Sequence, residues 1–254
     1  MPIVITSGSE GGGRRGGSEM KRALIALLII APLYGGDGGG RKPFRPCGFS
    51  VYAGPLWSRY TELPNVATIP EIHGVLASYL GGVLGVSWQF PLGRHIVLEG
   101  GFQASEMGTA VKWYEAEQMR SKWVYGFIME TGLVELCIKP LHGSSPYALA
   151  GYDLSYVSKH DVLDYGIPNG PDWTYLKDDT KKFDMGVFVG GGLEIVFKKW
   201  IPFAEVRYNV GLLNISKGTG ALESYPVIKT RVLMALAGVR FKWKSAASEG
   251  RGKR

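Results

Sequence analysis

Cysteine is nearly absent from this chain. Its 254 residues hold only Cys47 and Cys137, too few for a disulfide scaffold and without the spacing of a thiolate metal site. One disulfide or two unrelated thiols fit equally well. Histidine is scarce too, and His73, His95 and His160 stand apart without ligand spacing. No run reaches the about 20 apolar residues that a membrane helix needs. The glycine-rich pieces "GGVLG" and "VGGGLE" open no helix and supply no phosphate-loop lysine, so neither is a nucleotide site. No metal or cofactor is expected. The formal charge of +7 is carried by the ends, with Arg14, Arg15, Lys21 and Arg22 near one and Lys242, Lys244, Arg251, Lys253 and Arg254 at the other. Between them the balance is close to even and no basic stripe alternates with aromatics, which excludes nucleic acid as the expected partner.

What is abundant is glycine, at 37 residues, with aromatics at 12% and charged residues at only 20%. Glycine shows no triplet period and apolar residues are plentiful, so collagen and disorder do not fit. Tight turns and close backbone approach in a β-rich chain do.

From Met20, "MKRALIALLIIAPLYGG" has two basic residues, an apolar run, then small residues and a helix breaker. This is the layout of a secretory signal peptide. Residues 1–19 are expected to be a disordered leader or a misassigned start, 20–35 the signal, 36–47 a flexible lead-in, 48–243 the folded domain and 244–254 a basic polar tail.

Within the folded part the period is two. Ala204, Val206, Tyr208, Val210 and Leu212 fall on one side of an extended chain, and Glu205, Arg207, Asn209 and Gly211 on the other. The preceding run does the same, with Val187, Val189, Leu193 and Ile195 against Asp184 and Glu194, and Lys198 and Lys199 form the turn between them. Eight such segments follow one another from Gly48 to Trp243, joined by connections that alternate long and short. A loop is expected over about Tyr114 to Ser121.

An even strand count with all short turns at one end predicts an all-β fold, an eight-stranded antiparallel up-and-down transmembrane β-barrel in the cell outer membrane. Apolar residues then face lipid and charged ones a closed interior, because hydrocarbon tolerates no unpaired backbone. The interior network is expected to contain Glu99, Asp153, Asp184, Glu194, Glu205 and Arg207, with Tyr52 and Tyr79 given room by Gly81, Gly85, Gly101 and Gly190. Trp88, Phe90, Trp200, Phe241 and Trp243 gather near the short turns, where an aromatic girdle belongs. Two features fit less simply. Glu130 and Glu135 have opposite parity, which calls for a bulge or for Glu135 at headgroup level, and the last strand is apolar on both faces.

The segments "PYALAGYDLSYV", "VGGGLEIVF", "PFAEVRYNVGLLNI" and "KTRVLMALAGVRFKW" resemble the porin-family outer membrane β-barrel domain of Bacteroidetes, which includes PorT-like proteins. The resemblance covers residues 48–243 and implies a small outer-membrane barrel. The family ends at its last aromatic residue, whereas Trp243 is followed here by "KSAASEGRGKR".

For a lipid-cleaving enzyme, the only His-x-Ser arrangement is His142 to Ser144, in the turn "PLHGSSP", where a solvated turn is the plainer reading. The expected role is structural or interactive, not enzymatic. Expected partners are outer-membrane lipid, the barrel assembly machinery, and a surface or envelope protein or polysaccharide met by the long loops. A narrow pore or export component is the alternative, and a soluble exported ligand-binding barrel the second.

Overall fold

The computed structural model describes residues 48–61, 72–92, 95–115, 118–138, 145–165, 172–197, 200–222 and 227–242. The leader, signal, lead-in and tail lie outside them, as do Cys47, His142, Ser144, Lys198, Lys199 and Trp243. Among the described residues there are nine strands: β1 Gly48–Thr61, β2 Ile72–Pro91, β3 Ile96–Glu115, β4 Gln118–Ile138, β5 Ser145–Asp164, β6 Asp172–Tyr175, β7 Phe183–Glu194, β8 Trp200–Gly211 and β9 Lys229–Lys242. Eight of them close an antiparallel ring in the order β1-β2-β3-β4-β5-β7-β8-β9, with β9 back on β1. Among the described residues the short β6 pairs only with the end of β5.

One row of paired residues fixes the geometry of the ring. Starting at Phe49 it runs through Trp88, Gly100, Val134, Tyr152, Val187, Val210 and Arg231. It returns to β1 at Arg59, not at Phe49. A stagger of that size on eight strands tilts them about 40° from the axis, so each residue climbs about 2.5 Å. The bore is then just wide enough for side chains to fill.

The alternation read from the sequence is the alternation observed. Val206 and Leu212 are 52% and 42% exposed, while Arg207 between them is 3% exposed. Leu84, Tyr152, Leu154, Val189 and Leu193 are also exposed, and all lie on the outside of the wall. On β9 the ambiguity resolves: Val232, Met234 and Leu236 are buried, and Leu233 faces out. Phe49 stands beside Trp88 and Phe241, and Phe241 beside Trp200, so four aromatics form one row at the short-turn end. Phe197 stacks on Trp200 with centroids 4.8 Å apart. At the other end Trp57 faces out, and Tyr156 meets Phe183 edge to face at 5.7 Å. Arg59 stands about 25 Å above the Phe49 level, and below it the outer face is apolar from Trp57 down to Phe49, with Glu106 and Glu130 at the upper edge of the band.

Several expectations need correction. Residues 114–121 are not all loop, because β3 and β4 remain paired out to Glu115 and Gln118. Lys112 and Lys122 are partners there, so their charge belongs to the wetted outer face of a sheet that continues beyond the lipid. The strands β2 to β5 are 20 to 21 residues long, about twice what a bilayer requires.

No bulge separates Glu130 from Glu135 either. The alternation of β4 is unbroken there, with Glu135 1% exposed inside and Glu130 exposed outside, near the upper edge of the apolar band. Register shifts fall elsewhere, in β2 between Ser78 and Val83, in the β3–β4 pairing between Trp113 and Tyr114, and in β5 at Ser158. The first moves Tyr79, expected inside, to donate a hydrogen bond to exposed Glu106. Where β2 bulges away from β3, Ser58 supplies the missing ladder partner, accepting from Gly108 N (2.7 Å) and donating to Gly108 O (2.9 Å).

Candidate functional site

Alternation on five strands delivers charge to the lower lumen, and a sixth adds a tyrosine. From β8 come Glu205 and Arg207, from β3 Glu99, from β4 Glu135, from β7 Glu194, from β9 Arg240 and from β5 Tyr147. All are at most 5% exposed.

Arg207 holds Glu135 with two nitrogens, Nη1 at 3.0 Å from Oε2 and Nη2 at 3.2 Å from Oε1. Its Nε donates to Glu205. Arg240 donates from Nη1 to Glu194 (2.7 Å), and its Nη2 lies 3.5 Å from Glu99 and 3.9 Å from Glu205. Tyr147 Oη joins the halves by donating to Glu205 Oε2 at 2.7 Å. Glu99 also accepts from Ser87 and from Gln89 Nε2. Two fork-shaped cations thus meet four carboxylates, which is how ions removed from water are kept tolerable.

Aromatic rings complete the cage. The Arg207 guanidinium lies over Tyr52 (5.6 Å) and Phe188 (5.3 Å), and that of Arg240 over Phe203 (4.2 Å) and Tyr147 (5.1 Å). Each ring occupies the space above a glycine paired with it on the next strand: Tyr52 on Gly85, Phe188 on Gly151, Tyr147 on Gly192, Phe203 on Gly238. A Cβ on Gly85 would stand 2.3 Å from the Tyr52 ring, and one on Gly192 2.6 Å from Tyr147.

The six residues expected in the network are all inside, but the structure divides them. Glu99, Glu194, Glu205 and Arg207 belong to the cage. Asp153 and Asp184 sit higher, where Asp153 accepts from Asn209 and Asp184 from Thr230 Oγ1 (3.2 Å) and Met185 N (2.8 Å). Glu135, Arg240 and Tyr147 join the cage, three members beyond the six expected. Arg240 shares parity with Leu236 and Met234, so the inward face of β9 was readable once those two were placed inside.

Glu99, Glu135 and Cys137 bring ligand atoms within 4.8 Å of one another. The carboxylates are already engaged by Arg240, Arg207, Ser87 and Gln89, and the group reads as part of the ion network.

Above Tyr52 the lumen turns apolar. Leu56, Tyr60, Met107, Val111, Phe127 and Met129 pack with Leu176, Ile215, Leu222 and Ile228, which arrive from the connections after β6 and β8. A chain of hydrogen bonds ties this cap down. Thr180 Oγ1 donates to Leu176 O (2.7 Å) and so accepts from His160 Nδ1 (2.6 Å), which leaves His160 Nε2 to accept from the Tyr60 hydroxyl (2.8 Å). His160, unassigned in the sequence, is thus a fully buried clamp between wall and cap.

No protein-family model matches the chain, and no curated protein is similar to it in sequence. Solved structures do align. Neisserial surface protein A is 16% identical over 77% of this chain and 97% of its own, with a TM-score of 0.40. The outer membrane protein OprG of Pseudomonas aeruginosa is 12% identical over 79% and 98%, with a TM-score of 0.41. Ail, the attachment invasion locus protein of Yersinia pestis, is 14% identical over 78% and 100%, with a TM-score of 0.35. At that overlap the fold rests on the chain's own closed ring. A closed antiparallel barrel with an apolar exterior and a charged interior is the build of a Gram-negative outer-membrane protein.

Proposed function

We propose that this chain is a structural or interaction protein of the outer membrane, without enzymatic activity, that presents its long-loop end to partners. One observation carries the reading. The interior is filled along its length, first by the arginine–glutamate cage and then by the apolar cap, with Tyr52, Leu56, Phe127, Arg207 and Arg240 at most 3% exposed. A bore filled this way offers ions no path.

The work then falls to the outside. Strands β2 to β5 carry a paired sheet well past the apolar band, giving a rigid platform on which loops meet a surface protein or a polysaccharide. Lipid and the barrel assembly machinery are the partners that the membrane wall requires. The porin-family, PorT-like resemblance of the segments around Glu205 and Arg207 supports placing the chain among Bacteroidetes-type barrels, and it keeps a narrow pore or export component as the second reading.

Planar-bilayer recording of the refolded full chain separates the two. The expected record is silent, with the same sample migrating faster on gels before boiling than after. Stepwise conductance from a sample that passes the gel test would overturn the filled-bore reading.

A further inference from the structure

At the loop-bearing end the outward charges that border the apolar band differ in sign between β1–β9 and β3–β4. On β1 and β9, Arg59 and Arg231 are directly opposed partners. Arg59 is exposed and Arg231 half-buried, and both project from the outer face. Like charges in directly opposed positions destabilise a sheet. Among the described residues neither arginine is in an ion pair. Among those residues Arg231 reaches the backbone oxygens of Gly211 and Thr230, both at a long 3.4 Å. Two residues below them Trp57 and Leu233 are partners, each 42% exposed, and these begin the apolar band. The arginines therefore stand just above the hydrocarbon, at headgroup height. On β3 and β4, at about the same height, the outward charges are Glu106 and Glu130.

We propose that Arg59 and Arg231 form a binding site for a lipid bearing a phosphate monoester, its headgroup held between the two guanidiniums and its acyl chains against Trp57 and Leu233. Side chains at opposed positions start about 5 Å apart, which suits one tetrahedral anion between two forks. The anion removes the repulsion that otherwise opposes this pairing. Glu106 and Glu130 turn the same lipid away from the β3–β4 wall. The inference rests on the membrane-spanning reading of the barrel.

The test uses the full chain in micelles containing equal phosphatidic acid and phosphatidylcholine with the same acyl chains, and counts retained lipid by native mass spectrometry. Phosphatidic acid should be retained about thirtyfold over phosphatidylcholine, the equivalent of about 2 kcal/mol from two arginines. R59Q/R231Q should retain the two lipids equally while keeping its heat-modifiable migration, and K112Q/K122Q should keep the preference. A preference that survives R59Q/R231Q, or falls as far in K112Q/K122Q, overturns the site. So does displacement of the lipid by excess inorganic phosphate, which would make it a site for the free anion. Should the double variant not fold, R59Q and R231Q are measured singly, and an unchanged preference in both is equally decisive. Failure of the barrel reading looks different: the wild-type chain would then retain neither lipid and would lack heat-modifiable migration.

Discussion

Arg207 and Glu135 lie 72 positions apart in the chain and meet across the lumen through both nitrogens and both oxygens. Both are almost fully buried, so neither regains water if the other is removed. Arg207→Met should destabilise the barrel by about 3–5 kcal/mol, the cost of stranding a buried charge. Arg207→Met with Glu135→Met should recover part of that loss and not all of it, because Glu205 has lost the same cation. Urea unfolding in detergent, followed by tryptophan fluorescence, measures both. If the double variant is no more stable than the single, the pair is not the source of the effect.

How much of this was legible from residues alone depends on contrast between the two faces of a strand. On β8 the contrast is strong, Glu205, Arg207 and Asn209 against Val206, Tyr208 and Val210, and it led directly to the inside-out arrangement. On β9 it fails because the upper lumen is itself apolar, so Val232 and Met234 face in while Leu233 faces out. Arg240 was lost with it. Glu135 is hard to place for a related reason: Glu130 faces out near the upper edge of the apolar band, where a carboxylate costs little, and a single parity rule cannot accommodate both. The β3–β4 hairpin looked like a loop because charge on a sheet beyond the lipid has the same composition as a turn.

The glycine under each ring gives a second prediction. Gly85→Ala puts a methyl group 2.3 Å from the Tyr52 ring, which must leave its stack over Arg207. A loss of about 1–3 kcal/mol is expected, as for other overpacked cores. Gly126→Ala serves as the control, since a Cβ there meets nothing within 4 Å. Equal stability of the two variants would show that Tyr52 has somewhere else to go.

Val206 tests the lipid face. It stands near the middle of the apolar band, 52% exposed and paired with Ala235 and Gly191. Val206→Arg should cost about 2–4 kcal/mol in lipid vesicles, the midplane penalty of a cation on a barrel wall. The same substitution at exposed Ala104 should cost less, because its direct partner on β4 is Glu130. A Val206→Arg variant as stable as the wild type in vesicles would place this face in water.

His160 joins wall to cap, and its two ring nitrogens have different tasks. With Thr180 committed to Leu176 O, the proton sits on Nδ1 and Nε2 depends on the Tyr60 hydroxyl. Tyr60→Phe keeps the ring, which stacks on Phe127 with centroids 5.6 Å apart, and removes only the donor. A fully buried nitrogen left without its hydrogen bond costs about 1–3 kcal/mol. Because the lost bond ties β5 to β1 and not to the cap, hydrogen exchange should rise around Tyr60 and His160 before it rises around Leu176. Thr180→Val should reverse that order, loosening Leu176 and the turn at Lys177–Asp179 first. Exchange that rises equally in both regions for both variants would mean that wall and cap open as one unit, and the clamp would have no separate existence.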